Sequence, residues 1–339
     1  MKRLVGMFAI VFFSVLFVFG SAFGADKKVI NWKMQSAYPL HTASALGAIS
    51  WAQQIEKLTD GRLKIEVFQP GALCATREII DFIENNVIDC AMSYGGYYTG
   101  IIPETNLSTG LPMVHQTITE VFDAWYNRGL IDVVRDAFKE RNIRYYYYAV
   151  DNWYHYVLNK PIKTLDELKG LKIRALGTFG DYTKKIGAAP VSIPGAELYM
   201  ALKLGTVDGA LYSAAGIKDL NLHEVIKYRV YPTCAQITAD FYINQKSIDK
   251  LPEDIRLILL NSSDDIFVRG GLEVQVRDQM TQIWADQKGI KRIYLSDDDV
   301  KKATKLAAEV WAEIATKNQR CKKGVDILMQ QMRDLGRLD

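Results

Sequence analysis

The sequence predicts an α/β protein of two lobes that face a common cleft. Two observations carry this. Residues 28–98 and 164–213 each alternate strand patterns of period two with helix patterns of period 3.6. The two stretches also share punctuation. Gly61-Arg62-Leu63-Lys64-Ile65-Glu66 parallels Gly170-Leu171-Lys172-Ile173-Arg174, and Val87-Ile88-Asp89-Cys90-Ala91 parallels Thr206-Val207-Asp208-Gly209-Ala210. Two further stretches, near residues 143–158 and 231–244, read as crossings between the lobes. A chain of 339 residues is long enough for two lobes of ordinary size.

The first segment stands outside this fold. Lys2 and Arg3 precede an apolar run over residues 4–19, and Ser21-Ala22-Phe23-Gly24-Ala25 supplies small residues. That pattern predicts a signal peptide over residues 1–24. The run is short for a membrane span, which needs ~20 residues, and no cysteine stands at the cleavage site to take a lipid. An exported, periplasmic chain is the expectation.

The first lobe begins with the strand Val29-Ile30-Asn31-Trp32-Lys33-Met34. A helix carrying Ala45, Ile49, Ala52 and Ile55 follows, and then the strand Leu63-Lys64-Ile65-Glu66-Val67-Phe68. Ile79, Ile80 and Ile83 mark a short helix before a third strand over residues 87–92. Residues 119–139 read as one long amphipathic helix, and residues 143–150 as a strand with four consecutive tyrosines. In the second lobe, Thr164 and Glu167 have the spacing of a capping box. Gly170 supplies a left-handed stop, and the strand Leu171-Lys172-Ile173-Arg174-Ala175-Leu176 puts Arg174 opposite its apolar face. A helical pattern from residue 253 continues past Gly270 and Gly271 to about residue 287, with a bend expected at the glycines. Helices over residues 297–316 and 323–335 close the chain and read as packing. The expected organisation is residues 25–150 plus about 235–270 as lobe one, and 151–234 plus about 271–339 as lobe two with the C-terminal helices.

Arg174 is the residue this pattern singles out. Ligands of open α/β sheets bind beyond the carboxyl ends of strands. A guanidinium is always charged and offers a planar fork of donors that fits a carboxylate. Spacing alone leaves open an arginine paired to a neighbouring acid. The series Gly170-Leu171-Lys172-Ile173-Arg174, Gly187-Ala188-Ala189-Pro190-Val191, Pro194-Gly195-Ala196-Glu197-Leu198-Tyr199-Met200-Ala201-Leu202 and Gly205-Thr206-Val207-Asp208-Gly209-Ala210 decides between them. In order and spacing it resembles the solute receptors of tripartite ATP-independent periplasmic (TRAP) transporters, the DctP type.

The resemblance implies a two-lobed periplasmic-binding-protein fold with a hinged cleft, an organic-acid ligand clamped by Arg174, and membrane permease subunits as partners. One branch of the family follows the Asp208 position with Glu-Trp, and that glutamate helps bind a metal. Here Leu211-Tyr212 stands there, so no metal and no cofactor is expected. The family's glutamine or Gly-Phe-Arg element near residue 153 is absent too. Trp153, Tyr154 and His155 stand nearby and join the candidate ligand contacts, as do Gln35, Tyr38, Tyr94, Tyr97, Phe179 and Tyr212 at predicted strand ends. Rings with a polar tip favour a carboxylate with an apolar or aromatic body, although at least half of them are expected simply to pack the lobes. His41 and His155 read as packing or loop residues rather than metal ligands. Glu197 and Asp208 read as cap and turn residues, and Glu66 is the expected counterpart of Arg174.

Other classes find little support. A net charge of +3 lacks the concentrated basic surface that nucleic acid needs. The four cysteines, at 74, 90, 234 and 321, match no metal spacing and read as small buried hydrophobes. No phosphate loop, nucleophile elbow or His-Glu-x-x-His pair marks an enzyme. A freestanding acid sensor docking on a receptor kinase is the remaining alternative.

Overall fold

The computed structural model describes residues 28–338, leaving aside the side chains of Ala43 and of residues 148–153. The expected signal peptide lies outside the described residues. No helix among them is long and apolar enough to cross a membrane.

The first lobe is built from β1 (Ile30–Ser36), α1 (Ala43–Leu58), β2 (Leu63–Phe68), α2 (Ile79–Glu84) and β3 (Cys90–Ser93). Along β2 the alternation does what its sequence dictates: Leu63 and Ile65 are buried while Lys64 and Glu66 face water. The Thr42 hydroxyl caps α1 by accepting from the Ala45 amide. α3 (Thr105–Ser108), α4 (Ile118–Phe122) and α5 (Leu130–Lys139) follow. The single helix expected over 119–139 is therefore interrupted. A π-helical turn occupies Asp123–Asn127, and Gly129 sits in the left-handed region at φ +80°. Only glycine enters that region at little cost, and it resets the chain between two helices.

The crossing strand β4 (Ile143–Leu158) is 16 residues long and serves both lobes. The second lobe repeats the first: β5 (Lys172–Arg174), α6 (Gly177–Lys185), β6 (Ala189–Val191), α7 (Leu198–Lys203) and β7 (Gly209–Ser213), then α8 (Ala214–Asp219). The capping box expected at Thr164 does not form. A 3₁₀ turn occupies Leu165–Leu168, Thr164 makes no side-chain cap, and the Glu167 carboxylate instead accepts from the Lys163 amide at 3.1 Å. β8 (Tyr228–Tyr231) precedes the second crossing strand, β9 (Ala235–Asn244). α9 (Gln245–Asp249) leads to α10 (Glu253–Gln287), which runs unbroken through Gly270 and Gly271 and packs on β4, α1 and α8. β10 (Lys291–Tyr294), α11 (Asp297–Ala315) and α12 (Gln319–Asp334) end the fold.

All ten strands join one mixed sheet, in the order β2-β1-β3-β9-β4-β7-β5-β6, with β8 pairing β4 and β10. β4 and β9 run antiparallel through its centre and carry it from one lobe into the other. Their register shifts between Ala149 and Asp151 and again between Asn152 and Tyr154. Bulges of this kind bend and twist a ladder, and here they fall where the chain leaves one lobe for the other.

The topology corrects the alignment of the repeat. β1 lies between β2 and β3, just as β5 lies between β6 and β7. β1 is thus the counterpart of β5, and Glu66, on the flanking strand β2, is not the partner of Arg174. Register gives the true one, because Gln35 pairs with Ala91 as Arg174 pairs with Ala210.

The tyrosine run packs, as expected. Tyr145, Tyr146 and Tyr147 are buried, and Tyr147 stacks on Trp125 with ring centroids 4.0 Å apart. All four cysteines are free and buried. Burial pushes the thiols of Cys74 and Cys321 up, to about 11 and about 12 respectively, so these groups stay protonated and inert.

Candidate functional site

Strand ends and helix starts from both lobes converge on one cavity. From the first lobe come Tyr38 and Thr42, after β1 and at the cap of α1, with Tyr94 and Tyr97 after β3. The second lobe supplies Arg174 at the end of β5, Phe179 on α6, Gly195 before α7 and Tyr212 on β7. Tyr154 on the crossing strand completes the wall.

Arg174 is the electrostatic centre of this space. It is only 6% exposed. Its Nε donates to the Ile193 carbonyl at 2.9 Å, which fixes the guanidinium plane. Its two terminal nitrogens have no hydrogen-bond or ion-pair partner among the described residues. A buried cation with no counter-charge is costly. The geometry thus leaves a preset fork of donors on the cavity wall, the arrangement that binds a carboxylate.

Aromatic rings frame the cation. Tyr212 lies under the guanidinium, 5.2 Å from ring centroid to Cζ, and packs at 5.9 Å from Tyr154. The Tyr212 ring seats on backbone: a Cβ at Gly216 would come within 2.1 Å of it, and one at Gly195 within 2.7 Å of its hydroxyl. Tyr94 rests on Gly96 in the same way and meets the Tyr97 ring edge-on at 5.8 Å. Burial pushes the Tyr94 hydroxyl up, against the pull of the Arg174 charge. The Tyr94 hydroxyl is therefore a neutral donor and acceptor at physiological pH.

Of the residues expected at the site, Arg174, Tyr38, Tyr94, Tyr97, Tyr154, Phe179 and Tyr212 line the cavity together. The Trp153 side chain lies outside the described residues. Gln35 and His155 do not line the cavity. Gln35 is fully buried one step away, donating to the Ser36 and Gln69 carbonyls at 2.7 and 2.6 Å and accepting from the Leu73 amide at 2.8 Å. Neighbours on a strand point to opposite faces, so His155 turns away from the side of Tyr154. It is buried against Tyr231, with Nδ1 3.1 Å from the Val230 carbonyl. Glu66 is exposed and outside the cavity. Asp208 accepts from the Lys172 amide at 2.9 Å, the turn role expected of it.

Sequence reasoning passed over Thr42, Ser44, Ser213 and Asp219, which also line the cavity. Thr42 carried a signal, since a hydroxyl before an apolar-periodic run marks a helix start. Asp219 carried none, because α8 is short and its end is set by packing on α10.

The donor set does not suit a metal. Leu211, on the cavity wall where the resemblance would place a ligating glutamate, offers no donor atom. The carboxylate of the lining, Asp219, is engaged by Arg277 at 3.1 Å. No cluster of three or more acidic, histidine or cysteine side chains suited to a metal occurs among the described residues.

The lobes touch around the cavity. Thr178 Oγ1 donates to Asn106 Oδ1 at 3.0 Å, Arg77 donates to Ser192 Oγ at 2.9 Å, and His41 Nε2 lies 3.2 Å from the Asp219 carbonyl. Gly96 and Gly177 meet backbone to backbone, so that a Cβ on Gly177 would lie 3.0 Å from the Gly96 Cα.

A two-lobed α/β clamp around a buried, unpaired guanidinium defines a receptor for a small anion. Residues 35–318 match the family described as bacterial extracellular solute-binding protein, family 7, or DctP, and the chain belongs to that family, the solute receptors of TRAP transporters. It is 23% identical over 305 residues to the monocarboxylate 2-oxoacid-binding periplasmic protein of Nostoc sp., covering 87% of this chain and 82% of that one. Its fold matches a TRAP transporter solute-binding protein from Bordetella bronchiseptica, with copurified calcium and picolinate bound, at a TM-score of 0.83 and 21% identity, over 91% of this chain and 93% of that one. It also matches a Bordetella pertussis extracytoplasmic solute receptor binding pyroglutamic acid, at a TM-score of 0.83 and 17% identity, over 89% and 100% of the two chains.

Proposed function

We propose that the chain is the periplasmic receptor of a TRAP transporter for a monocarboxylate with an apolar or aromatic body, which it delivers to the membrane permease. The observation that carries this reading is Arg174, buried with its terminal nitrogens unpaired inside an aromatic cavity. The carboxylate lies in the guanidinium fork, where each charge-assisted bond contributes ~1.5–3 kcal/mol. The body of the acid lies among Tyr94, Tyr97, Tyr154, Phe179 and Tyr212. The relatives that bind picolinate, pyroglutamic acid and 2-oxoacids support small carboxylates as the ligand class. Binding needs no metal, because Leu211 replaces a ligating side chain. The chain binds and releases its acid unchanged, as membership of a solute-binding family leads one to expect. Export through the leader at residues 1–24 brings the receptor to its permease.

The test is a thermal-shift screen of the mature protein. The panel holds aromatic and branched-chain acids, 2-oxoacids, dicarboxylates and sugar acids, each with and without a chelator and each repeated on Arg174→Ala. A ligand that binds only the folded state stabilises it in proportion to the logarithm of its concentration over Kd. The expected result is a shift with a ring-bearing monocarboxylate that chelator leaves intact and the substitution abolishes. A chelator-sensitive shift overturns the metal-free site, and one that survives Arg174→Ala overturns the clamp.

A further inference from the structure

Asp240, in the middle of β9, is a carboxylate with no exposure and no cation beside it. Three neutral hydroxyl donors hold it. Tyr145 on β4 reaches Oδ1 at 2.7 Å, and Ser108 on α3 and Tyr242 on β9 itself reach Oδ2 at 2.9 and 3.0 Å, while Gly95 packs directly against the carboxylate. The packing at Gly95 is close: a Cβ there would lie 2.5 Å from both Asp240 Oδ2 and Ser108 Oγ. Thr238, two residues away on the same strand, donates to the Ser108 carbonyl.

Gly95 and Ser108, which pack on and donate to this carboxylate respectively, belong to the parts of the first lobe that work at the cleft. Gly95 opens the turn Gly95–Tyr97, whose flanks Tyr94 and Tyr97 line the cavity and whose Gly96 meets Gly177 of the other lobe. Ser108 ends α3; beside it Asn106 Oδ1 accepts from the Thr178 hydroxyl at 3.0 Å, and the Thr109 hydroxyl shares a hydrogen bond with that of Thr178 at 3.3 Å. One buried carboxylate therefore ties together both first-lobe elements that meet the start of α6.

We infer that Asp240 is a positioning residue for ligand binding: its ionised side chain holds the Gly95 turn and α3 where the cavity tyrosines and the inter-lobe contacts need them. This rests on the receptor reading above. An ionised carboxylate accepts all three hydroxyls, whereas protonation turns one of its oxygens into a donor and forces a hydroxyl facing it to turn away or accept. Protonation at this site is accessible, since burial raises the Asp240 carboxyl to about 6, against the pull of its hydrogen bonds. The titratable groups that face it are Tyr145 and Tyr147 from β4, Tyr94 and Tyr98 from the turn, and Tyr242 from its own strand, all held neutral by burial. Affinity for an acid should therefore fall as pH drops through this range.

The experiment titrates phenylpyruvate, whose carboxyl stays ionised throughout, into the mature wild type, Asp240→Asn and His41→Gln between pH 5 and 8. His41 is included because its ring bridges the lobes at the cavity, away from Asp240. Wild-type affinity is expected to fall severalfold toward pH 5. Asp240→Asn should bind about tenfold more weakly at pH 7.5, the loss of about one hydrogen bond's worth of positioning, with a flat profile. His41→Gln should keep the wild-type slope. Amide exchange of the unliganded protein is the second readout and needs no ligand. Residues 94–99 should exchange faster in Asp240→Asn, and in Ser108→Ala should the first variant fold poorly, while Arg174→Ala leaves them unchanged. A flat wild-type profile, or exchange at 94–99 unaltered by both substitutions, overturns the role of Asp240. Failure of the wild type to bind any carboxylate while exchange at 94–99 responds overturns the receptor reading and leaves the tether standing.

Discussion

The two lobes use the same frame for different purposes, and the central strands show where they part. At Asp89 and Asp208 they agree, for each carboxylate accepts the amide of the equivalent lysine, Lys33 or Lys172, at 2.9 Å. They agree again one step further on. The Gln35 amide donates to the Gln69 carbonyl at 2.6 Å, and the Arg174 Nε to the Ile193 carbonyl at 2.9 Å, each fixing the loop after the neighbouring strand. The difference is in what remains. Gln35 spends both ends of its amide on backbone, whereas Arg174 keeps two charged nitrogens free of partners among the described residues. One lobe is closed scaffold at this position and the other is a handle for an anion.

The sharpest way to break that comparison is Arg174→Gln, which gives the second lobe the first lobe's residue. The Ile193 bond can persist while the fork is lost. Two charge-assisted bonds at ~1.5–3 kcal/mol each correspond to a loss of roughly 10²–10⁴ in affinity. The unliganded protein should melt at the same temperature or higher, because a buried unpaired charge has gone. Calorimetric titration and a melting curve read both. Retained affinity would mean that Arg174 serves the loop alone, as Gln35 does.

Next in size is Gly177→Ala, which tests whether the lobes must meet. Gly177 has φ +50°, and its added methyl would press on the Gly96 backbone at 3.0–3.1 Å. Backbone at that distance does not yield as a flexible side chain does, so closure is expected to stop short and affinity to fall ~10-fold, about 1.4 kcal/mol. X-ray scattering of the saturated protein should report a larger radius than wild type. An unchanged radius and affinity would show that the Gly96–Gly177 contact is incidental.

Gln35→Ala should act on stability more than on binding. It removes the partner of the half-buried Leu73 amide and of the Gln69 carbonyl, at a cost of ~1 kcal/mol in denaturant unfolding. The affinity change should stay well below that of Arg174→Gln. The reverse ranking would make Gln35 a ligand contact and erase the distinction between the lobes.

Much of this was legible in the sequence because local rules and the fold agree there. β2 and the start of Ile79–Glu84 follow period and punctuation, and Arg174 stood out as a charge at a strand end followed by a family-like series. Errors arose where the deciding contact is distant in sequence. The Gly61 and Gly170 motifs look alike, but sheet order, not local spelling, makes Gln35 the partner of Arg174. The 119–139 pattern kept its helical period across Gly129, whose left-handed backbone ends it. Asp240 lay inside a strand that reads as wholly buried, and nothing local announces that a carboxylate there meets hydroxyls from two other elements.

His155 gives the smallest expected effect and the cleanest contrast with its neighbour Tyr154. Burial holds the imidazole well below its ordinary value, from 6.5 to about 3, with the Arg229 and Arg292 charges pushing the same way and the Val230 carbonyl opposing them. The folded state therefore binds fewer protons than the unfolded one between these values. Stability from His155 is present above pH 6.5 and is lost as pH falls toward 3. His115, lowered to about 4 by its own burial, acts in the same direction. Replacing His155 with phenylalanine should shift the midpoint of acid unfolding to lower pH by a fraction of a unit. Affinity for a carboxylate at neutral pH should not change, because the ring points at Tyr231 and not at the cavity. A loss of affinity comparable with that of a cavity tyrosine would place His155 back in the site and require the β4 register between Asn152 and Tyr154 to differ when ligand is bound.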